Sequence, residues 1–368
     1  MDDSDNGREW LYERAETMAE INYSALQGHI ATGKPSPVYL ICGDEGYLRR
    51  RSLEMLKEKY MPDVLPEFNY TEFDGSACTV DEISAADETL PMMAERRMIV
   101  VKDMDAAAIS ADQYRKLETF LGSVGNNDSC VLIFFNVSVK ASAKSGDRQG
   151  AMRSLIKKNG TVINCKIPSS AEITDILMAA AGAGGAQISR SDAAYMVERC
   201  GNDITNLLSE LAKLQSLCGG RITRAAIDAN TTQSVDVKAY MLASNVISGK
   251  RGDAYRIMEE LFDERTEPVA VLAIMSGAFI DLYRAKLASG ERKDADGMAA
   301  LFGEEYKGKE KRLSFSFRDC RRYSPALLRK WCTMLCRTDA SLKSSRVDGR
   351  ILMEKLLAEM FAAAEASR

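Results

Sequence analysis

The sequence predicts an α/β domain built on a parallel sheet, followed by domains made of helices alone. Between residues 37 and 167, short apolar runs alternate with amphipathic stretches, the pattern of a parallel sheet covered by helices. From Ser169 onward the periodicity is helical and no strand is predicted. The length of 368 residues also favours two or three domains over one.

Five apolar runs are the candidate strands of the first domain. Strands of a parallel sheet are buried on both faces, so they are expected as nearly continuous apolar runs. The candidates are residues 38–42, 68–73, 97–102, 131–135 and 161–165. Helices are expected between them. Thr79 and Glu82 have the spacing of a capping box, and Ser110 has the type and position of an N-cap.

The second half carries helix signals of the same kind. Ser169 and Glu172 form another capping box, and residues 201–203 start a helix with one apolar face. That face consists of Ile204, Leu207, Leu208, Leu211 and Leu214. The apolar stretch 269–280 is shorter than the roughly 18 residues of a membrane span. A buried helix over 268–289 is therefore predicted, and no contact with a membrane.

These patterns divide the chain into four parts. Residues 1–22 are expected to form a polar helical extension, and residues 23–167 the α/β domain. Residues 168–233 are predicted to be a small helical domain and residues 234–368 a larger one. Within the latter, the polar stretch 303–311 is expected to be a mobile loop.

Composition excludes several classes of protein. The chain is 46% hydrophobic and 28% charged with a net charge of −4, which is typical of a globular protein and not of a uniformly basic nucleic-acid coat. The acidic start is not a secretory signal. Nine cysteines without a CxxC pair suit a reducing cytoplasm and offer no structural zinc site. His29 is the single histidine, so mechanisms that need two are excluded.

The turn after the first strand is the place for a phosphate-binding loop in a nucleotide-binding α/β domain. A working loop reads GxxxxGK[S/T], because its amides and lysine hold phosphates and its hydroxyl holds magnesium. This turn has Gly43, Asp44, Glu45 and Gly46, with two carboxylates that repel phosphate and no Lys-Ser/Thr pair. It is a degenerate P-loop. No catalytic residue, metal site or cofactor is predicted.

A basic segment with interleaved aromatic residues spans 306–331. It contains nine Lys/Arg and two acidic residues, and such a combination can follow phosphates and stack on bases. The alternative is a solvated helix face with the aromatic side chains buried beneath it. The candidate DNA-binding residues are Lys307, Lys309, Lys311, Arg312, Phe315, Arg321 and Arg322.

Four segments resemble the delta subunit of the bacterial DNA polymerase III clamp loader. Residues 34–48 resemble the opening strand and empty phosphate loop of that family. Residues 90–102 resemble its clamp-contact element and the strand that follows. Residues 201–214 resemble a helix of the second domain, and residues 339–343 a motif of the last domain. Their order and spacing along the chain carry the resemblance.

The resemblance implies an AAA+-like first domain, an all-α lid domain and an all-α collar domain that oligomerises. It implies a subunit that binds no ATP and has no catalysis of its own, an accessory to the DNA-directed DNA polymerase holoenzyme, a nucleotidyltransferase. Its expected partners are the sliding clamp, the other subunits of a hetero-pentameric loader and primed DNA. The expected place is the nucleoid-associated replisome of the bacterial cytoplasm.

The clamp-contact element of that family presents two adjacent apolar residues, often Leu-Phe. The pair aligned with them here is Met92 and Met93. Methionine is flexible and fills irregular pockets, so the pair is the predicted clamp-binding site. Its position after Pro91 and before a charged segment predicts that it is exposed.

Two other interpretations remain open. An ATP-hydrolysing AAA+ motor subunit of the same loader would need a GK[S/T] motif and a Ser-Arg-Cys arginine-finger triplet, and the sequence contains neither. A non-replicative adaptor protein with a helical C-terminal half is compatible with the composition.

Overall fold

The computed structural model describes residues 19–139, 147–291, 293–294, 297–298 and 310–367. The chain divides after Pro168 into two compact units. The first is the α/β part of the molecule and the second is mainly helical.

Within the described residues, the first unit contains a six-stranded parallel sheet. Its strands are β1 (Ala19–Asn22), β2 (Val38–Cys42), β3 (Tyr70–Asp74), β4 (Arg97–Lys102), β5 (Cys130–Phe135) and β6 (Thr161–Asn164). They lie in the order β1-β6-β2-β5-β4-β3, with every neighbouring pair parallel. The central strands β2 and β5 are buried along their whole length, as their unbroken apolar runs predict.

Helices connect these strands and cover the sheet. They are α1 (Tyr23–Ala31), α2 (Gly46–Tyr60), α3 (Pro66–Asn69), α4 (Val80–Glu88), α5 (Ala111–Ser123) and α6 (Arg148–Asn159). Side chains from α4, α5 and α6 form one core with a face of the sheet. The Thr79–Glu82 capping box and the Ser110 cap are both present, so these predicted helix starts are confirmed.

Two segments of this unit differ from the sequence prediction. Residues 19–22 form a strand where a helix was predicted, because pairing of Ile21 with Ile163 across the β1–β6 ladder decides the conformation of so short a segment. The second strand begins at Tyr70 and not at Phe68. Pro66 opens the short helix α3, which suits proline at a first helical position, and this helix includes Phe68.

The second unit is built from helices. They are α7 (Ser170–Ala183), α8 (Arg190–Cys200), α9 (Ile204–Cys218), α10 (Arg224–Asn230), α11 (Val235–Ser248), α12 (Arg251–Asp263), α13 (Pro268–Gly290), α14 (Glu310–Asp319), α15 (Pro325–Ser344) and α16 (Gly349–Glu365). Two short strands, β7 (Gln187–Ile188) and β8 (Arg221–Ile222), also pair in parallel. The prediction of no strand here was wrong, because two residues are too few to show a period of two.

Helix α13 lies at the centre of the largest buried cluster, which draws its residues from 235–364. Its length and composition alone would let it cross a membrane, with a mean hydropathy of 1.4 over its most apolar window. A core helix passes the same test, and α13 buries side chains such as Phe279 against Trp331 of α15, with ring centroids 5.4 Å apart. The buried helix predicted over 268–289 is therefore present.

The predicted fold class, a parallel α/β domain followed by helical parts, is confirmed. The division into an extension, an α/β domain, a lid and a collar at residues 22, 167 and 233 stays a prediction.

Candidate functional site

The turn after β2 lies at the carboxyl edge of the sheet, where open parallel α/β folds bind ligands. Gly43 has a φ of +126°, and a Cβ placed there would lie 2.2 Å from the carbonyl oxygen of Cys165. The Glu45 amide donates a hydrogen bond to the same oxygen (3.0 Å). The turn is thus packed directly against the chain that follows β6.

Glu45 supplies the negative charge at the start of α2. As the N-cap residue, it accepts a hydrogen bond from the Tyr47 amide through its carboxylate (2.8 Å). A phosphate bound at a helix N-terminus would use these amides and the same partial positive charge. The carboxylates of Glu45 and Asp44 therefore oppose phosphate at this turn.

Two other side chains around the turn are bound to backbone. Arg49 donates from Nη1 to the carbonyl oxygens of Asn136 (2.7 Å) and Val137 (2.8 Å). Asp103, which follows β4, accepts hydrogen bonds from the amides of Val137 (2.6 Å) and Ser138 (2.7 Å). The described part of the chain has no group of three or more His, Cys, Asp or Glu side chains arranged to hold a metal ion.

Met92 and Met93 lie between α4 and β4, at the amino edge of the sheet and so at the opposite edge from the degenerate P-loop. Their exposed fractions are 49% and 81%. Leu90 is also largely exposed. The predicted exposure of the pair is confirmed, and the pair is not part of the core.

The backbone of this turn is held by Asn69, a side chain with no exposed surface. Its Oδ1 accepts a hydrogen bond from the Met92 amide (2.7 Å), and its Nδ2 donates to the Met92 carbonyl oxygen (2.8 Å). Nδ2 also donates to the carbonyl oxygen of Val64 (2.9 Å). The sequence analysis missed Asn69, because an asparagine near a turn is ordinary and only the fold brings it to Met92.

A buried arginine holds the start of the same loop. Arg97, the first residue of β4, donates from Nη1 to the Thr89 carbonyl oxygen (3.3 Å) and from Nη2 to Thr71 Oγ1 (3.1 Å). The exposed methionines are therefore carried by a loop whose backbone is bonded to the body of the domain at two points.

The predicted DNA-binding residues are only partly described. Lys307 and Lys309 lie outside the described residues, as do the side chains of Lys311 and Arg312. Phe315 lies on α14 with 52% of its surface exposed, and the Arg318 guanidinium is 5.2 Å from its ring centroid. Arg321 and Arg322 are exposed in the short 3₁₀ helix Cys320–Arg322.

The other aromatic residues of the basic segment belong to the core. Trp331 is fully buried and donates from Nε1 to the Met360 carbonyl oxygen (3.0 Å). The Tyr323 hydroxyl donates to the Ile247 carbonyl oxygen, and Phe317 packs partly buried against the same cluster. The base-stacking interpretation is wrong for Trp331 and Tyr323, and the alternative of aromatics buried beneath a basic face is confirmed for them.

Two family models match the chain and together cover more than half of it. The model described as DNA polymerase III, delta subunit, matches residues 39–166. The model described as DNA polymerase III delta subunit, C-terminal domain, matches residues 236–360. The chain belongs to the DNA polymerase III delta subunit family. Its AAA+-like fold class and the resemblance that predicted it are confirmed.

Individual members of the delta family align along most of the chain. The DNA polymerase III subunit delta of Bacillus subtilis (strain 168) is 22% identical over 334 residues, which is 89% of this chain and 94% of that protein. The solved structure of the Bacillus subtilis DNA clamp loader delta protein (YqeN) is similar with a TM-score of 0.64 and 20% identity. That similarity covers 92% of this chain and 99% of the other.

Proposed function

We propose that this delta-family chain is a clamp-loader subunit that binds the sliding clamp through Met92 and Met93 and opens it for loading onto primed DNA. It works in a hetero-pentamer with the other loader subunits in the bacterial cytoplasm, at the nucleoid-associated replisome. The exposed methionine pair on a fixed loop carries the proposal. The name of the similar Bacillus subtilis structure, a clamp loader delta protein, supports the loader role.

The physical case for the pair rests on its exposure and on its rigid backbone. Apolar side chains that enter a pocket at an interface are typical binding anchors. A backbone that is already ordered before binding loses less conformational entropy when the partner docks. Met92 and Met93 combine both properties, since their side chains are exposed while their loop is bonded through Asn69 and Arg97.

Clamp opening in this proposal uses binding energy and not nucleotide hydrolysis by this chain. A ligand that binds the open form of a ring better than the closed form shifts the ring toward the open form. The turn after β2 has no phosphate-binding lysine and is closed by the Glu45 cap. ATP-driven steps belong to the other subunits, and this chain is a non-catalytic accessory of the polymerase holoenzyme.

Primed DNA is the second proposed partner. The candidate contacts remain Lys307, Lys309, Lys311, Arg312, Phe315, Arg321 and Arg322. Exposure of Phe315, Arg321 and Arg322 supports the proposal for these three. Most of the binding energy would come from the phosphates, since Phe315 is the one exposed aromatic among those described in the segment.

The test is clamp binding by the isolated chain with Met92→Ala and Met93→Ala combined. Loss of buried anchors of this kind costs about 2 kcal/mol or more, so we expect affinity for purified sliding clamp to fall about thirtyfold or more. Met241→Ala is the matched control, because Met241 is 38% exposed on α11 of the second unit. It should leave clamp affinity unchanged.

Thermal unfolding separates an anchor from a core residue. An exposed pair should leave the melting temperature close to that of the unmodified chain. Unchanged clamp affinity in the double variant would remove Met92 and Met93 from the clamp site.

A further inference from the structure

We propose that Asn69 is a positioning residue that sets how Met92 and Met93 are presented to the sliding clamp. The proposal rests on the proposed function, because it assigns Asn69 a role in the same contact. Asn69 is fully buried and has no surface with which to touch a partner itself. It acts through the methionine pair.

The first observation is the two-way hydrogen bonding between Asn69 and one residue of the exposed turn. The Asn69 side chain accepts from the Met92 amide and donates to the Met92 carbonyl oxygen. An amide side chain that pairs with both backbone groups of one residue orients the peptide planes on either side of it. The direction in which Met92 and its neighbour leave the domain is thereby determined.

The chemistry of these bonds requires an asparagine. The Met92 amide needs an acceptor, whereas the carbonyl oxygens of Met92 and Val64 both need a donor. Aspartate of the same shape would place a carboxylate oxygen against two carbonyl oxygens. Alanine would leave all three backbone groups without their partner.

The second observation is the backbone of Met93. Its φ is +55°, a left-handed conformation that is uncommon for a residue other than glycine. Such a conformation persists only where its surroundings enforce it. The Asn69 bonds hold the preceding residue, Met92, so they keep Met93 in the conformation that leaves its side chain exposed. Without them, the turn is expected to relax and to sample other orientations.

The third observation is that Asn69 joins two chain segments. The carbonyl oxygens of Val64 and Met92 accept from the same nitrogen, so they lie roughly 6 Å or less apart. The first of these segments carries the exposed apolar side chains Val64 and Phe68. The presented surface therefore has the methionine pair on one segment and further apolar groups on the adjoining one.

The test uses the full chain with Asn69→Asp and, separately, Asn69→Ala. Amide hydrogen exchange of Met92 should become at least tenfold faster in both variants, because its acceptor arrangement is lost. If the turn then spends about one tenth of its time in the presenting conformation, apparent clamp affinity falls about tenfold. The matched control is Asn159→Asp, which removes two Nδ2 bonds to the carbonyl oxygens of Leu121 (2.9 Å) and Leu155 (3.1 Å). Asn159 precedes β6, three strands away from β3, and its variant should bind the clamp normally.

A double-variant cycle separates positioning from a general loss of structure. Adding Asn69→Asp to the combined Met92→Ala and Met93→Ala variant should cause no further loss of clamp affinity, because Asn69 acts only through that pair. An additional tenfold loss in this background would overturn the proposal, and so would normal clamp affinity in an Asn69 variant whose Met92 amide exchanges fast.

The proposed function can fail separately, since it depends on the methionine double variant alone. If both Asn69 variants fail to fold, exchange in the unmodified chain decides the matter. The Met92 amide should then be protected although its side chain is half exposed, and free exchange would overturn the proposal.

Discussion

At the residue scale, the single histidine is bound to the core of the first unit. His29 Nε2 lies 3.0 Å from the Tyr39 hydroxyl, whose oxygen accepts a hydrogen bond from the Ser36 amide (2.8 Å). The tyrosine can therefore donate its proton to the neutral ring. Burial lowers the pKa of His29 from its ordinary value of 6.5, because it disfavours the charged imidazolium.

This shift predicts a pH dependence of stability. Between the lowered folded pKa and 6.5, the unfolded chain binds more protons at His29 than the folded chain does. The contribution of His29 to the free energy of unfolding is therefore fully present above 6.5 and decreases as pH falls through this window. Chemical denaturation of the unmodified chain and of His29→Gln, compared from pH 5 to 8, measures the difference. Since the chain has one histidine, its imidazole NMR signal is unambiguous, and a midpoint at or above 6.5 would contradict the prediction.

At the element scale, the β2–α2 connection shows how a nucleotide-binding turn is closed. Gly43 lets the turn approach Cys165, Glu45 caps α2, and Arg49 and Asp103 both bond the backbone after β5. Each of these groups is satisfied within the protein. A nucleotide would have to break several of these bonds and bring phosphates beside two carboxylates.

We therefore predict no ATP hydrolysis and no tight nucleotide binding by the isolated chain. Calorimetric titration with Mg-ATP should give no saturable heat at micromolar concentrations, because no lysine is present to bind the phosphates. A catalytically competent loader motor subunit is the positive control. Micromolar affinity in this chain would support the alternative of an ATP-hydrolysing subunit.

At the scale of the whole molecule, the distribution of charge separates one segment from the rest. Residues 306–331 hold nine basic and two acidic residues in a chain with a net charge of −4. Local positive charge raises the concentration of a polyanion nearby. The burial of Trp331 and Tyr323 removes the stacking platforms first expected there, so affinity for DNA should depend mainly on phosphate contacts.

The corresponding prediction concerns the assembled loader on primed DNA. Replacing Lys307, Lys309, Lys311 and Arg312 with alanine should make the slope of log affinity against log salt shallower by up to about 3.6, the value for four phosphate contacts. Sequence preference should not change, since phosphates carry no sequence information.

The control for that experiment removes four cations that are already paired on their own helices. They are Arg256, Lys343, Arg350 and Lys355, each beside a carboxylate four residues away. This variant has the same net charge as the test variant and should keep the original slope. An unaltered slope in the test variant would show that the basic segment is a solvated face.

Much of the fold is encoded in local patterns that the sequence displays. Strand β4 has the predicted bounds, and the Thr79 and Ser169 capping boxes start the helices that they predict. These features depend on residues at most a few positions apart, so a linear pattern contains them. The degenerate P-loop was visible for the same reason, because its missing lysine is a matter of local spelling.

The tertiary structure alone decided the features that depend on distant residues. Asn69 and Met92 are bonded across 23 positions, and the hydroxyl of Tyr323 reaches a carbonyl 76 positions away. Hydrogen-bond partners and burial depend on which segments the fold brings together, and no periodicity in the chain reports that. The sequence by itself therefore determined the fold class, the lost nucleotide loop and the exposed methionine pair. Only the packed structure decided which aromatics belong to the core and which buried side chain holds the pair in place.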